Sequence, residues 1–232
     1  MAEANWSFMT GGLALNVVKR GVTSGTAKPN GGGTYVYGFN SIAATPGSVA
    51  LYTAQANFIP TDKGASITAA MRRGPSASPA GFSCYVFCGA QGNALGNQAY
   101  MLGLSDNNPS SITLRKGILS EGVVDGEEGD TGILRRGTDQ VDEGTWIHIR
   151  LDMIVNPSGD VILKCWKSDL GANSVSSPSW GLITGMDDFI DDSLGVNSGS
   201  LPFGSGYMGF GFQVNGISRR AYFDHITCSR QV

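Results

Sequence analysis

Between Gly144 and Ser168 the chain reads GTWIHIRLDMIVNPSGDVILKCWKS, two strand-like segments on either side of Asn-Pro-Ser-Gly. Side chains of a strand alternate between its two faces. Thr145, Ile147, Ile149, Leu151, Met153 and Val155 therefore share one face, and Trp146, His148, Arg150, Asp152 and Ile154 share the other. One face is apolar and the other mostly polar, as in a strand covered on one side by a core. Pro157 and Gly159 supply turn geometry, and Asp160 restarts the chain into Val161–Trp166. The pattern is that of a long β-hairpin, and its apolar face requires a second layer to pack against.

The rest of the chain offers that layer in the form of more strands. Thr34–Phe39, Val49–Phe58 and Ser66–Arg73 are strand-like. Phe82–Gly89 is a nearly continuous apolar run, the kind covered on both sides. Gln98–Ser105 and Ser111–Leu119 follow, separated by a turn at Asn107, Asn108 and Pro109. Ile133–Leu134 has the look of a short edge strand within an acidic, Gly-rich stretch. Residues 169–206 are irregular, and Met186–Leu194 suggests a short helical turn. Tyr207–Val214 alternates glycine with aromatics, which marks close approach between layers. Arg219–Cys228 closes the chain as a last strand. Glycine numbers 34 of 232 residues and charged residues make up only 15%, a composition of short strands and turns rather than of helices. These features predict an all-β fold, an antiparallel β-sandwich with few or no helices, over residues 34–232. Residues 1–33 read as an N-terminal arm with a Gly-rich linker, a possible docking segment for a partner, or else as a first strand and an ordinary surface loop.

A net charge of −3 and scattered Arg pairs (Arg72-Arg73, Arg135-Arg136, Arg219-Arg220) give no nucleic-acid footprint, and those arginines are expected to be solvated or interfacial. No apolar run is long enough to span a bilayer, so membrane insertion is not expected. The first residues, MAEANWSFMTGG, lack the form of a secretory signal. Cys84 and Cys88 on one strand would stand about 13 Å apart, too far to bridge. Cys165 and Cys228 could meet across neighbouring strands, and buried free thiols are the simpler expectation for all four.

The order of Gly144–Asp152 (GTWIHIRLD), Gly159–Trp166 (GDVILKCW), Gly206–Phe212 (GYMGFGF) and Ala221–Cys228 (AYFDHITC) resembles the concanavalin A-like lectin/glucanase jelly roll, laminin-G-like domains included. The resemblance covers roughly Thr34 to Cys228 and is a pattern of strands rather than a catalytic signature. It implies the sandwich already read from the residues. The general style of the chain also resembles bacteriophage virion proteins, with low charge, many Gly, Ser and Asn residues and a Met-Ala start. That likeness implies a virion component of tail, collar or capsid surface, made in the host cytoplasm, with other virion proteins and copies of itself as partners and a cell-surface glycan as a further candidate.

Candidate chemistry is sparse. Glucanases of this superfold would carry E-x-D-x-x-E on one strand as nucleophile and acid/base. The five glutamates here, Glu3, Glu121, Glu127, Glu128 and Glu143, fall in the arm or in loops, and no nucleophile, zinc or phosphate-loop motif is present. No enzymatic activity is expected. Trp146, His148, Arg150 and Asp152, with Trp166, either form a sugar-binding face, the indole stacking on a pyranose, or else Arg150 and Asp152 make a cross-strand charge pair and Trp146 is core or interface packing. Asp125, Glu127, Glu128 and Asp130 lie on a Gly-containing loop that either cradles calcium or is simply solvated. Calcium is the one cofactor with any support, since laminin-G-like relatives bind it. Asp187, Asp188, Asp191 and Asp192 form a second acidic cluster, which is either a metal site or, more simply, Asp187 and Asp188 at the N-terminus of a short helix with the other two exposed. His225 follows Asp224 in the last strand and, by alternation, points away from it. The leading expectation is a non-enzymatic virion structural protein whose lectin-like sandwich serves assembly or host contact. The alternative is a free carbohydrate-binding lectin, with a glycoside hydrolase behind both.

Overall fold

The computed structural model describes residues 6–9, 16–21, 29, 35–40, 47–58, 64–74, 82–105, 107, 109–214 and 220–231. Among them fifteen strands run in chain order: β1 (Ser7–Phe8), β2 (Asn16–Gly21), β3 (Tyr35–Asn40), β4 (Gly47–Phe58), β5 (Gly64–Arg73), β6 (Phe82–Ala90), β7 (Gln98–Leu104), β8 (Ser110–Ile118), β9 (Ile133–Val141), β10 (Ile147–Val155), β11 (Val161–Asp169), β12 (Gly181–Leu182), β13 (Phe189–Asp191), β14 (Gly206–Val214) and β15 (Arg220–Gln231). No α-helix occurs among the described residues, which include two 3-10 turns at Leu119–Glu121 and Asp130–Gly132. The strands form two antiparallel sheets. One has seven strands in the order β1-β4-β14-β6-β7-β8-β9. The other has eight, in the order β12-β11-β10-β5-β15-β3-β2, with β13 also paired to β11. The antiparallel sandwich that the alternation predicts is therefore the fold observed.

The hairpin β10–β11 runs in unbroken register from Val155↔Val161 to Ile147↔Asp169. Its turn closes with the Asn156 amide on the Asp160 carbonyl at 2.9 Å and with Gly159 at φ +91°, a conformation that costs glycine nothing. Ile147, Ile149, Leu151 and Met153 enter the core as alternation requires, beside Ile67 and Met71 of β5 and Leu163 of β11. Across the sandwich they meet Val86 of β6, Leu102 of β7, Leu114 of β8, and Phe210 and Phe212 of β14. Each large side chain buried in this way contributes roughly 1.5–3 kcal/mol.

Strand β6 is buried on both faces, as its continuous apolar run predicts. Phe82, Cys84, Val86 and Cys88 point into the main core. Tyr85, Phe87 and Ala90 point outward into a second apolar layer with Leu95, Ala99, Met101, Leu119, Val123 and Met9. Glycines on the neighbouring strands make room for Tyr85. A Cβ at Gly211 would stand 2.5 Å from its ring, and one at Gly103 2.6 Å from its Cβ. The Tyr85 hydroxyl then donates to the Leu119 carbonyl at 2.6 Å and pins the first 3-10 turn onto the sheet.

Several expectations change. Of the arm over residues 1–33, the pieces described as strands belong to the sandwich: β1 pairs with β4 and β2 with β3, while Trp6 stands edge-on to Phe210 at 4.9 Å. Of the linker over residues 21–33, Gly21 ends β2 and Pro29 is described, and the remainder lies outside the described residues. The edge strand at Ile133–Leu134 extends to Val141 and forms the border of the seven-stranded sheet. The helical turn at Met186–Leu194 is instead strand β13 followed by a turn organised by Asp192, whose carboxylate accepts the amides of Leu194, Val196 and Asn197 at 2.9–3.1 Å. Asp191, expected to be exposed, is fully buried, because Phe189 and Asp191 share the inward face of that short strand. It pairs with Lys116 at 2.7 Å and accepts from Tyr100 and Ser198. Lys116 also donates to the carbonyls of Ser200 and Leu201, so a satisfied polar plug closes one end of the core. Arg73, expected to be solvated or interfacial, is 1% exposed. It binds the Ser105 and Asn107 carbonyls and the Ser110 hydroxyl, and lies 4.3 Å over Phe82.

Candidate functional site

The five side chains singled out on the hairpin, Trp146, His148, Arg150, Asp152 and Trp166, share the outward parity of the eight-stranded sheet. They do not form one open face. The chain after β11 folds back over part of them: Leu170 and Val175 pack with Trp146, Ala70 and Tyr222, and the Ser179 amide donates to the Ser168 hydroxyl at 3.2 Å. Trp146 is thereby reduced to 9% exposure and His148 to 1%. Arg150 and Asp152 pair at 2.7 Å along one strand, not across strands, and Trp166 donates its indole N–H to Asp152 at 2.9 Å. The Arg150↔Trp166 register brings that indole beside the ion pair. This is a half-buried triad in which both Asp152 oxygens are engaged, one by the Arg150 Nε and the other by the Trp166 indole.

His148 is the unusual member. Its ring lies 4.6 Å from that of Trp180 and 5.8 Å from that of His225, and neither ring nitrogen has a hydrogen-bond partner. Burial pushes its pKa down to about 4, with the neighbouring His225 adding to the effect, so the ring is neutral at ordinary pH. His225 reaches it through a bulge. The β15–β5 register shifts between Asp224 and Thr227, and His225 takes φ +48°, alone among the described non-glycine residues in having a positive φ. Simple alternation, which sends His225 away from Asp224, fails because the bulge adds a residue. The His225 amide instead donates to the Asp224 carboxylate at 2.7 Å.

A pocket of ≈ 230 Å³ opens where β9 meets the end of the hairpin. Trp146 and Ile147 form one side, Asp139, Gln140 and Asp142 come from the end of β9, and Lys167 and Asp169 come from β11. Lys167 and Asp169 continue the inward parity of Leu163 and Cys165 beyond the apolar core, and the register sets Asp169 opposite Ile147, the next residue along the chain from Trp146, and Lys167 opposite Ile149. Lys167 binds Asp139 at 2.7 Å, and the other Asp139 oxygen accepts the Thr184 amide at 3.1 Å. Partial burial disfavours the charge on Asp139, but Lys167 and the Thr184 amide outweigh it and hold the carboxyl below its ordinary value. Segment 181–186 keeps this wall in place by bonding both sheets, the Ile183 amide to Cys165 at 3.2 Å and the Thr138 amide to Thr184 at 2.9 Å. Of the sequence-derived candidates the pocket contains Trp146 alone. Asp139, Asp142, Lys167 and Asp169 carry no linear signal, because strand register brings them together.

The acidic loop is built differently from a calcium cradle. Asp125 pairs with Arg136 at 3.0 Å and accepts from Asn107 and Ser111, and Glu127 lies 3.3 Å from Arg136. Glu128 lies 3.6 Å from Arg135, while Asp130 receives the Glu127 amide at 3.4 Å. The carboxylates of Asp125, Glu127 and Glu128 thus face arginines rather than a common centre. Among the described residues no three His, Cys, Asp or Glu side chains are placed to hold a metal ion. In the second cluster Asp188 pairs with Lys164 at 2.7 Å.

No protein-family model matches this chain, and no curated protein matches it in sequence. Its fold is similar to that of the exoplasmic/lumenal domain of VIP36, solved in a Ca2+/Man3GlcNAc-bound form: TM-score 0.54 and 11% identity, over 98% of this chain and 83% of that one. It is similar also to the carbohydrate recognition domain of Emp46p in metal-free form, with TM-score 0.50 and 11% identity over 97% and 87% of the two chains. The cellulose induced protein Cip1 gives TM-score 0.50 and 11% identity over 97% and 90%. These likenesses show the fold, a jelly-roll sandwich of the concanavalin A-like class, which is the architecture implied by the strand motifs.

Proposed function

We propose that this sandwich is a non-catalytic carbohydrate-binding module and that its saccharide sits in the pocket against Trp146. The observation that carries the proposal is the lining of that pocket: the largely buried Trp146 at its edge beside Asp139, Asp142, Asp169, Gln140 and Lys167, in ≈ 230 Å³. A sugar ring has an apolar C–H face that packs on an aromatic surface and a rim of hydroxyls that need donors and acceptors, and these side chains offer both. The volume holds roughly eight waters, about the space of one sugar ring rather than of a long chain. A non-catalytic role fits the lack of an E-x-D-x-x-E strand in the sequence. Solved structures that share the fold include one named as a carbohydrate recognition domain and one holding a mannose-containing glycan, and they support this reading. They bring nothing to a role in virion assembly. In a virion, the same module would serve host-surface contact through a glycan.

A glycan array and calorimetry on the whole chain test the proposal. Binding falls at least ten-fold in Asp142→Ala, an exposed position that leaves the fold intact, and in Trp146→Phe, and is unchanged in Arg150→Ala on the outer face. Absence of saccharide binding, or binding indifferent to Asp142 and Trp146, overturns it.

A further inference from the structure

We infer that the pocket beside Trp146 selects saccharides carrying a free amine over neutral sugars, and neutral sugars over uronates; this rests on the carbohydrate-binding proposal above. The pocket holds three carboxylates, Asp139, Asp142 and Asp169, and one ammonium, Lys167. That ammonium is spoken for. It lies 2.7 Å from Asp139, and the Thr184 amide anchors the opposite carboxylate oxygen, so a uronate would have to break a held pair to reach it. The other two carboxylates sit at the exposed rim. Asp169 accepts the Gly171 amide at 2.8 Å through Oδ1 alone, and Asp142 has no side-chain hydrogen bond among the described residues. Arg72 packs 5.7 Å over the Tyr222 ring and does not line the pocket. A ligand resting against Trp146 therefore meets two carboxylates whose charge nothing in the pocket offsets. An ammonium on the sugar ring gains from each, and a second carboxylate on the ligand is repelled by each.

Exposed ion pairs of this kind change affinity about two- to five-fold apiece, so the two carboxylates together give the amine roughly a ten-fold advantage. The test is calorimetry on the whole chain with three disaccharide probes: glucosamine, N-acetylglucosamine and mannuronate dimers. Each is titrated at low salt and at about 1 M salt, where the screening length is roughly 3 Å. The expected order is amine, then N-acetyl, then uronate. The amine advantage collapses in Asp142→Asn/Asp169→Asn and in high salt, while the N-acetyl affinity stays within about two-fold. Uronate binding as tight as amine binding, or an amine advantage that survives both treatments, overturns the selectivity and leaves the carbohydrate-binding proposal standing. Failure of all three probes to bind overturns both.

Discussion

Replacing His148 by Phe isolates what a buried, unpartnered imidazole costs as pH falls. In the wild-type chain the ring is 1% exposed, both nitrogens lack partners, and the pKa is about 4 against an ordinary 6.5. The folded value lies below the unfolded one, so between those values the unfolded chain binds more protons than the folded chain. Stability is therefore complete above pH 6.5 and is lost as pH falls through 6.5 toward 4. The full loss is the 6.5 to 4 difference at 1.36 kcal/mol per unit, roughly 3 kcal/mol, of which about 2 kcal/mol appears between pH 7 and pH 5. Arg72, Arg150, Asp152, Lys164, Asp224 and His225 are ionisable groups on this face of the same and neighbouring strands, and they remain in the variant. Urea unfolding of both proteins at pH 7, 6 and 5 gives the difference directly, because groups common to both cancel. His148→Phe breaks no hydrogen bond and is expected to match or exceed wild type at pH 7, then to gain about 2 kcal/mol relative to it by pH 5. A wild-type–variant difference that stays constant over that range refutes the claim that this ring is neutral and desolvated in the fold.

The polar plug makes a second prediction. Lys116→Met leaves Asp191 buried without its cation and destabilises the chain by roughly 3–5 kcal/mol, whereas Lys116→Met with Asp191→Leu recovers much of that loss, as a denaturant series on the two variants will show. Gly211→Ala drives a methyl into the Tyr85 ring and hydroxyl and is expected to cost about 1–3 kcal/mol, as a denaturant series will show. The four cysteines are free, and burial pushes the Cys84 and Cys228 thiols up to about 12. A thiol reagent at neutral pH should therefore titrate the buried Cys84, Cys88 and Cys165 only after denaturant is added, with the half-buried Cys228 the first to react, and rapid reaction of all four in the folded chain would contradict that burial. Trp166→Phe removes the indole N–H from Asp152 while leaving the Arg150 pair, and thermal melts should register a loss of about 1 kcal/mol.

Much of the sandwich was legible in the sequence. The 2-residue alternation over Ile147–Val155 fixes which side chains enter the core, and the unbroken apolar run of Phe82–Gly89 announces a strand covered on both sides. These are local properties: the period of side-chain direction is set by the backbone of each strand. The helical turn at Met186–Leu194 failed because acidic residues near a chain turn favour either a helix start or a side-chain-bonded turn, and Asp192 takes the second course by collecting three backbone amides. Arg73 and Asp191 were misjudged for a related reason, since a charge is buried only when distant residues satisfy it.

The pocket is the clearest case of what lies beyond sequence. Trp146 was marked as a candidate from its strand, yet its partners Asp139 and Asp142 precede it and Lys167 and Asp169 follow by some twenty residues, with no spacing that signals a site. The bulge at His225 likewise brings His148 and His225 together from strands far apart in the chain. The sequence by itself determined the class of fold and the faces of its strands, because alternation and turn chemistry act between near neighbours. Only the tertiary structure decided which charges are satisfied and which remain open to a ligand, because that depends on register between strands that the chain brings together from a distance.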